Sequence, residues 1–462
     1  MKIRFATLGC KLNFAESSAI GKALLEKGHT RAKQGEESDI CIINTCSVTD
    51  NADHKDRQAI HRIHRQNPNA IIIVTGCYAQ LQPEQVSKIE GVDYVLGQNE
   101  KYEIPKLVAT LESDAAKAAM GRSHNELLAI GERREAKGDE AMRRKGERRE
   151  AKGERICVGA IREVDEFHGV HSGDDRTRCF IKVQDGCNYF CTYCTIPYAR
   201  GKSRNPQIEE VVKDAQEALK QGAKELIITG VNIGDFGRST GESFIELLRA
   251  LDELGDEAMR QEARGMDYRV RISSCEPNLL TDEIIEFVAQ SKHFAPHFHI
   301  PLQSGSNEVL KIMGRRYTRE LFAERVSRIK ELMPHAFIGV DCMVGVRGET
   351  EEYWEDYLAF IKGLDVSQLH VFTYSERANT KMLEMDLYIV PKAERQRRSK
   401  ILHAISEEKT QTFYTQHAGR ETVVLWESKK EGDQMAGFTD NYIKVYRPYD
   451  KTKVNTFEVI RL

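Results

Sequence analysis

Short segments rich in β-branched residues alternate with amphipathic helical segments along most of the chain. In the first part of the chain the strand-like segments are 2–9, 39–46 and 70–77, and helical patterns lie between them. Strands that are apolar throughout are typical of parallel sheets covered by helices on both faces. We therefore predict an α/β domain with a parallel sheet over residues 1–112, in which 92–97 is a candidate fourth strand.

Two later regions have different patterns. Residues 173–400 predict a second α/β domain, a full or partial (βα)6 barrel, because six strand-like segments recur roughly every 30–45 residues with helical patterns between them. Residues 401–462 contain short strand-like segments separated by turn residues, which predict a small all-β barrel. The six barrel strands are TRCFIKVQ, ELIITGV, RVRISS, HFHIPLQ, FIGVDCMVG and LHVFTYS, and the C-terminal strands are RETVVLWES, FTDNYIKVYRP and NTFEVIRL.

Residues 113–172 differ in composition from the predicted domains and read as an insertion and linker. The octapeptide GERREAKG occurs at 131–138 and again at 146–153, and GDEAMR occurs at 138–143 and again at 255–260. Residues 131–155 contain ten basic and seven acidic residues and very few apolar ones, so they cannot bury a core. We predict a solvated linker; a basic arm that contacts RNA phosphates remains the alternative.

Composition excludes several classes of protein. Lys and Arg number 68 against 71 Asp and Glu, a net charge of −3, which excludes a uniformly basic nucleic-acid coat. No run of about 18 apolar residues is present, and the first residues read as a strand, so we expect neither a membrane span nor a signal peptide. We therefore expect a cytoplasmic protein, in which the 11 cysteines do not form a disulfide framework.

The most specific motif is a CxxxCxxC loop directly after the first barrel strand, formed by Cys187, Cys191 and Cys194. Three thiolates on one loop can hold three irons of a 4Fe–4S cluster and leave the fourth iron open for a ligand. Structural zinc is the alternative, but it usually needs four protein ligands, and no fourth Cys or His follows at the required spacing. Cys179, on the strand itself, is expected to be a small buried residue.

Three more cysteines share a position with respect to the predicted strands. Cys10 follows the first strand, Cys46 closes the second and Cys77 closes the third. Because the carboxyl ends of parallel strands line one crevice, these residues predict a second metal centre there. Cys41 lies inside the second strand, where we expect it to pack in the core.

These motifs resemble the radical S-adenosylmethionine superfamily, and the N-terminal cysteines resemble its methylthiotransferase branch. The resemblance covers nearly the whole chain except the repeat-bearing insertions, and the C-terminal barrel resembles the RNA-binding TRAM domain. Lys11, directly after Cys10, is typical of the subfamily that modifies N6-threonylcarbamoyladenosine beside the tRNA anticodon. The matching segments include TLGCKLNFAES, NTCSVTDNAD, TGCYAQ, DGCNYFCTYCTIPYARGKSR, HFHIPLQSGSNEVLKIMGRRYT and HVFTYSERANT.

The resemblance implies a reaction and its cofactors. The cofactors are two 4Fe–4S clusters and S-adenosylmethionine, with Cys187, Cys191 and Cys194 holding the radical-generating cluster. Cys10, Cys46 and Cys77 would hold a cluster that carries the sulfur. One S-adenosylmethionine methylates that sulfur, and a second yields the 5′-deoxyadenosyl radical that removes hydrogen from C2 of the adenine at position 37 of tRNA. A reductant protein and a sulfur source are implied partners, and we expect a monomer.

Further residues are candidates for cofactor and RNA contacts. Tyr193 is expected to pack against adenine, Gly230 to let backbone approach the methionine portion, and Asn232 and Gln303 to supply polar contacts. Local packing and turn roles are the alternatives. His61 and His64 lie three residues apart on a predicted helix, where a basic face near RNA is preferred to a metal site. The candidate RNA contacts are Lys11, Arg200, Lys202, Arg204, Arg315, Arg316, Arg377, Tyr442 and Lys444.

The chain departs from the family pattern in two loops, and the sequence leaves alternative functions open. After the fifth barrel strand the usual GFPGET reads Gly345-Val-Arg-Gly-Glu-Thr350, and Asn379 replaces a glycine after the sixth. The same chemistry on isopentenyladenosine in tRNA or on a ribosomal protein is an alternative function. An alternative of a different class is a non-catalytic RNA-binding protein whose cysteines hold zinc.

Overall fold

The computed structural model forms two compact units and describes residues 1–33, 35–47, 49–119, 156–161, 167–172, 177–254 and 268–462. The first unit comprises residues 1–13, 19–47 and 51–164, and the second comprises 14–18, 48–50 and 165–462, as far as these are described. Within the described ranges, no helix combines the length and apolar character needed to cross a membrane.

The first unit is built on the parallel sheet predicted from the apolar segments. Its spatial order is β2-β1-β3-β4-β5-β6, and all pairs are parallel. The central strand, Ile40–Thr45, is buried along its whole length, as its β-branched composition requires. The strands are β1 (Lys2–Thr7), β2 (Thr30–Arg31), β3 (Ile40–Thr45), β4 (Ile71–Gly76), β5 (Tyr94–Leu96) and β6 (Ile156–Cys157).

Helices cover both faces of this sheet. They are α1 (Lys11–Glu26), α2 (Asp50–Gln66), α3 (Cys77–Leu81), α4 (Pro83–Ser87) and α5 (Ile104–Ala119), and a one-turn 3-10 helix spans Glu100–Glu103. On one face Ile60 and Ile63 of α2 pack with Cys41, so the predicted packing role of this cysteine is confirmed. On the other face Ile20 of α1 and Ile104 of α5 belong to a second apolar cluster.

The second unit contains the six predicted barrel strands. They form two three-stranded parallel sheets, and bridges from Val270 to Phe294 and from Ser274 to His299 connect the third strand to the fourth. The result is a partial barrel. The strands are β7 (Arg178–Lys182), β8 (Glu225–Thr229), β9 (Arg269–Ile272), β10 (His297–Gln303), β11 (Phe337–Val344) and β12 (Gln368–Thr373).

Eight α-helices of the described chain belong to this unit. Four of them begin at a Ser or Thr whose hydroxyl accepts a hydrogen bond from the backbone N–H three residues later, which satisfies a helix donor. These caps are Ser243, Thr281, Thr318 and Thr350. The helices are α6 (Ile196–Arg200), α7 (Ile208–Lys220), α8 (Phe244–Asp252), α9 (Asp282–Gln290), α10 (Asn307–Ile312), α11 (Arg319–Leu332), α12 (Glu351–Gly363) and α13 (Lys392–Gln416).

The C-terminal sheet has four antiparallel strands in the order β15-β14-β13-β16 and fits the predicted small barrel. The predicted strand 438–448 is in fact two strands, because a turn in which Tyr442 has a positive φ of 67° interrupts it. These strands are β13 (Glu421–Glu431), β14 (Gln434–Thr439), β15 (Lys444–Pro448) and β16 (Phe457–Arg461). Helix α13 runs through the predicted boundary at 400–401, whereas the repeats at 131–153 and 255–260 lie outside the described residues.

The turn at Tyr442 anchors the C-terminal sheet to the amino-terminal ends of the barrel strands. The Tyr442 ring lies 4.9 Å from that of His297 and 5.7 Å from that of Phe337, the first residues of β10 and β11. The Arg271 guanidinium lies over the same ring at 4.9 Å and donates to the Asp440 carbonyl. The C-terminal sheet therefore contacts the end of the barrel opposite to the CxxxCxxC loop, which follows the carboxyl end of β7.

Candidate metal centres

The three N-terminal cysteines lie at the carboxyl ends of adjacent strands. Strand β3 pairs with β1 on one side and with β4 on the other, in parallel throughout. Cys10 caps the start of α1, Cys46 follows β3, and Cys77 is the first residue of α3. The three cysteines thus follow strands that end at the same edge of the sheet, as expected from strand position, and their role as ligands of one metal centre stays a prediction.

Two glycines show how closely these strand ends approach. A Cβ atom on Gly9, which precedes Cys10, would lie 2.6 Å from Cβ and 2.9 Å from Sγ of Cys46. A Cβ atom on Gly76, which precedes Cys77, would lie 2.6 Å from the backbone nitrogen of Thr45. Both glycines have positive φ, 95° and 102°, so conformation and space both exclude a side chain.

Amide side chains connect the same strand ends. Asn13 Nδ2 donates to the carbonyls of Leu8, at 2.8 Å, and Thr45, at 2.9 Å, and Asn44 Nδ2 donates to the Asn13 carbonyl at 3.1 Å. These bonds hold the segment before Cys10 against the segment before Cys46. Neither Asn13 nor Asn44 was predicted from sequence as part of a site, although both lie within three residues of a cysteine.

Polar partners also reach the cysteines themselves. The backbone N–H of Cys46 donates to Asp56 Oδ2 at 2.9 Å, and Gln98 Nε2 donates to Cys77 Sγ at 3.1 Å. Burial raises the pKa of Asp56 to about 8, against the opposing effect of the Cys46 N–H. Within the described residues, no three His, Cys, Asp or Glu side chains are arranged to hold a single metal ion.

The CxxxCxxC loop lies between β7 and α6 and is held by backbone contacts. Gly186 has a φ of 69°, and a Cβ atom there would overlap the Lys202 carbonyl, so the loop begins at a position that needs glycine. The N–H of Cys187 donates to the Gly201 carbonyl, and that of Cys194 donates to the Cys191 carbonyl, each at 3.0 Å. The chain between the three cysteines is therefore folded into a compact turn.

The three thiols of this loop sit in an environment that disfavours charge. Burial raises the pKa of Cys187 to about 11 and that of Cys194 to about 12. Burial also raises the pKa of Cys191, although the nearby Arg315 guanidinium opposes the shift. Thiolates at these positions would require a compensating positive charge, which iron ligation would supply.

Arg315 contacts the loop directly. It was predicted as an RNA contact, but its side chain is only 4% exposed. Its Nη1 donates to Cys191 Sγ at 3.3 Å and lies 3.4 Å from the hydroxyl of Tyr193, and its Nη2 pairs with Glu276, which is 15% exposed. The structure therefore places this guanidinium beside a predicted cluster ligand and not at the surface.

Unpartnered polar atoms near the loop fit a polar cofactor. Asn232 is 3% exposed, and neither its Nδ2 nor its Oδ1 has a hydrogen-bond partner in the described chain. The same holds for Oδ1 of Asn278, whose Nδ2 donates to the hydroxyl of Tyr189 in the loop. Buried amides normally make hydrogen bonds, so these atoms suit the amino, carboxylate or ribose groups of S-adenosylmethionine.

The other predicted cofactor residues have local roles in this structure. A Cβ on Gly230 would lie 2.9 Å from the Gln184 carbonyl, so the glycine permits close packing between the ends of β7 and β8. Tyr193 packs beside the apolar cluster that contains Met313. Gln303 ends β10 with a φ of 65° at an irregularity in the strand. The cofactor contacts of these three residues stay a prediction.

A chain of polar side chains crosses the middle of the barrel strands. Ser274 Oγ lies 2.8 Å from His299 Nδ1, and His299 Nε2 lies 2.8 Å from Asp341 Oδ1. His370 pairs with Asp341 in the strand register, and its ring lies 4.9 Å from that of His299. This chain of side chains was not predicted from sequence. The available signal was His299 and Asp341 inside otherwise apolar strands.

These residues face away from the helices that cover the barrel. Neighbouring positions in the strands, such as Ile300 and Val340, belong to the apolar core shared with the helices, and side chains alternate between the two faces of a strand. His299 and Asp341 are 19% and 18% exposed, so this face is accessible. Burial opposes ionisation of Asp341, but the adjacent His299 outweighs it and lowers the pKa of that carboxyl.

Three predicted RNA contacts are buried. Arg200 and Arg204 are 1% and 7% exposed, and both pair with Asp185, at 3.0 Å and 3.3 Å. Arg377 is 5% exposed. The two guanidinium groups neutralise a carboxylate inside the second unit, because a buried charge needs a partner. Phosphate contacts by Arg200 and Arg204 do not fit this placement.

Other predicted RNA contacts are accessible. Lys202 and Arg316 are exposed near the CxxxCxxC loop, and the Arg316 guanidinium lies 4.0 Å from the centre of the Tyr189 ring. Lys11, the first residue of α1, is half-buried. The structure therefore offers Lys202 and Arg316 as cations beside the loop.

Tyr442 and Lys444, the predicted RNA contacts of the C-terminal sheet, contact other residues of the protein. Tyr442 packs against the barrel as described above and is not available for base stacking. Lys444 pairs with Glu431 at 3.1 Å, and its ammonium lies 4.7 Å from the centre of the Tyr446 ring. Tyr446 is 49% exposed and was not among the predicted RNA contacts, although it lies two residues after Lys444 on the same strand.

Comparison with known proteins identifies both α/β regions. Residues 2–97 match the Uncharacterized protein family UPF0004, and residues 181–361 match the Radical SAM superfamily. The chain is 36% identical to the threonylcarbamoyladenosine tRNA methylthiotransferase MtaB of Bacillus subtilis, over 96% of this chain and 89% of that protein. It is 31% identical to the tRNA-2-methylthio-N(6)-dimethylallyladenosine synthase of Fusobacterium nucleatum, over 96% of this chain and 93% of that protein.

Solved structures support the fold. The radical S-adenosylmethionine methyltransferase TsrM from Kitasatospora setae, determined with tryptophan substrate and a S-adenosylmethionine analogue, aligns with a TM-score of 0.53 and 15% sequence identity. The alignment covers 80% of this chain and 72% of that chain. This likeness shows that the two chains share their overall α/β and barrel architecture.

Proposed function

Because the chain belongs to the MtaB-type radical S-adenosylmethionine tRNA methylthiotransferases, we propose that it methylthiolates C2 of N6-threonylcarbamoyladenosine at position 37 of tRNA. The family membership makes it an iron–sulfur and S-adenosylmethionine enzyme and sets aside the non-catalytic zinc protein considered from sequence. The use of two 4Fe–4S clusters, the ligands of each and the exact nucleoside are the parts that we propose.

The observation that carries the two-cluster proposal is the packing of Gly9 and Gly76 against the end of β3. Both glycines precede a cysteine, and both contact the segment that ends in Cys46. This packing supports Cys10, Cys46 and Cys77 as ligands of an auxiliary cluster. Cys187, Cys191 and Cys194 are proposed to hold the other cluster.

The residues around the CxxxCxxC loop bind the cofactor, orient it and shield it from water. When bound, the cluster and S-adenosylmethionine supply the 5′-deoxyadenosyl radical that removes hydrogen from C2 of the base. Asn232 and Asn278 offer unpartnered amide atoms to the cofactor. Arg315 donates a hydrogen bond to the Cys191 sulfur and pairs with the Glu276 carboxylate. His299, oriented by Asp341, presents a fixed polar group to the substrate on the accessible face.

The proposed nucleoside rests on the protein segment directly after Cys10 and on the names of the relatives. Lys11 matches the threonylcarbamoyladenosine subfamily, and the MtaB relative carries that nucleoside in its name. Isopentenyladenosine is the second candidate, because the Fusobacterium relative is named for its dimethylallyl form. Nucleoside mass spectrometry of tRNA from cells that lack this protein distinguishes them. Loss of the methylthio group from threonylcarbamoyladenosine supports the proposal, and its retention without a redundant enzyme refutes it.

The two-cluster proposal is tested by replacing cysteines one at a time. Cys10→Ala is expected to halve the iron content of anaerobically reconstituted protein, keep S-adenosylmethionine cleavage and abolish methylthiolation. Cys41→Ala is the matched control, because Cys41 lies in the core on β3 and is 1% exposed. Full product formation by the Cys10→Ala variant would remove the auxiliary cluster from the reaction.

A further inference from the structure

A buried glutamine contacts one of the proposed ligands of the auxiliary cluster. Gln98 follows β5 and is 3% exposed, and its Nε2 donates to Cys77 Sγ at 3.1 Å. Its backbone N–H donates to Gln80 Oε1 at 2.8 Å, which fixes the main chain at this point. The glutamine is thus held in place beside the sulfur.

The other end of the Gln98 amide faces a buried lysine. The Lys101 ammonium donates to Gln98 Oε1, and Lys101 is 1% exposed. The Lys101 backbone N–H donates to the Gly97 carbonyl at 3.1 Å in the 3-10 turn Glu100–Glu103, so the lysine is held by the turn after β5.

Lys101 determines which way the amide points. An ammonium group only donates hydrogen bonds, so the oxygen of the amide must face Lys101 and the N–H must face the sulfur. Without the lysine the amide could turn and place its oxygen against Cys77. Because Gln98 and Lys101 are both buried, water screens the interaction between the Lys101 ammonium and the Cys77 sulfur only weakly.

We infer that Gln98 and Lys101 are positioning residues that raise the reduction potential of the cluster held through Cys77. A hydrogen bond and a positive charge near a ligand sulfur stabilise the more negative, reduced form, and hydrogen bonds to cluster sulfurs are a known determinant of potential. This inference rests on the proposed auxiliary cluster and deepens it, because it assigns residues that adjust how readily that cluster accepts an electron.

The test measures the midpoint potential of the auxiliary cluster alone. The parent is the full-length chain in which Cys187, Cys191 and Cys194 are all replaced by alanine, so that only the auxiliary cluster is expected to contribute to the EPR signal. Potentials are measured by EPR-monitored redox titration after anaerobic reconstitution. Gln98→Leu and Lys101→Met are each expected to lower the midpoint potential.

Controls separate this role from a structural one. Lys101→Arg keeps the positive charge and the hydrogen-bond donors, so its midpoint potential is expected to equal that of the parent. Lys106→Met removes a lysine from the same unit whose side chain is 70% exposed, and no shift is expected. If Gln98→Leu fails to retain iron, the comparison of Lys101→Met with Lys101→Arg decides the question.

The outcomes distinguish this inference from the proposed function. A parent that holds iron and shows the same potential in all variants overturns the inference alone. A parent that holds no cluster iron overturns the two-cluster function and the inference with it. A lowered potential in Lys101→Met that returns in Lys101→Arg supports both.

Discussion

Replacing Gly9 by alanine should remove the auxiliary cluster without unfolding the protein. The added methyl would lie 2.6 Å from Cys46 Cβ, whereas carbon atoms normally approach to about 3.5–4.0 Å, so one of the groups must move by about 1 Å. The distances from ligand atoms to a metal normally stay within about 0.2 Å of their usual values. Cys46 should therefore no longer match the cluster geometry.

The energetic cost is moderate in comparison with the stability of a domain. Alanine at the positive φ of Gly9, 95°, costs about 1–2 kcal/mol, and the overpacking costs about 1–3 kcal/mol. The sum is about 2–5 kcal/mol. The free energy of unfolding of a typical domain is larger, about 5–15 kcal/mol. The Gly9→Ala variant should fold, and its iron content should fall from about eight to about four atoms per chain.

Gly28→Ala is the matched control for backbone strain. Gly28 also has a positive φ, 86°, but a Cβ there would have nothing within 4 Å. The Gly28→Ala variant should lose a comparable free energy of unfolding through backbone strain, as measured by urea unfolding. It should keep its full iron content. Full iron in the Gly9→Ala variant, or equal loss in both variants, would refute the reasoning that Gly9 permits the close approach to Cys46.

Three further predictions concern the second unit. Arg315→Met should destabilise it by about 3 kcal/mol in urea unfolding, because Glu276, which is only 15% exposed, loses its ion-pair partner, and adding Glu276→Gln should recover most of the loss. His299 lowers the pKa of Asp341, so the pair adds to the free energy of unfolding above about pH 4. This contribution is lost as the pH falls through the lowered pKa. The His299→Gln variant should therefore lose less stability on acidification, as measured by unfolding at several pH values. Lys202→Ala should reduce the salt-dependence slope of tRNA binding by about 1 and leave the unfolding free energy within about 0.5 kcal/mol; an unchanged slope would exclude a phosphate contact.

Features that depend on neighbouring residues could be predicted from the chain. The β-branched segments became the predicted parallel strands, and the cysteines at 187, 191 and 194 lie on one turn because their spacing is local. The position of Cys10, Cys46 and Cys77 at one edge of the sheet also followed from sequence, because the carboxyl ends of adjacent parallel strands lie at the same edge. These conclusions need only strand order and local geometry.

Roles that depend on distant partners were decided by the tertiary structure. Arg200 looks like a surface cation in sequence, but it is buried because Asp185 lies 3.0 Å away. Tyr442 resembles a base-stacking residue, yet the turn at its positive φ inserts it against the barrel.

Sequence by itself determined the family, the two α/β regions and the positions of six candidate ligand cysteines. Only the tertiary structure decided which cations remain at the surface, that His299 and Asp341 form a pair, and that Gln98 reaches Cys77. The physical reason is that a side chain's exposure and charge state depend on what the fold packs against it. Contacts between residues far apart in sequence depend on strand register and on the exact path of the turns.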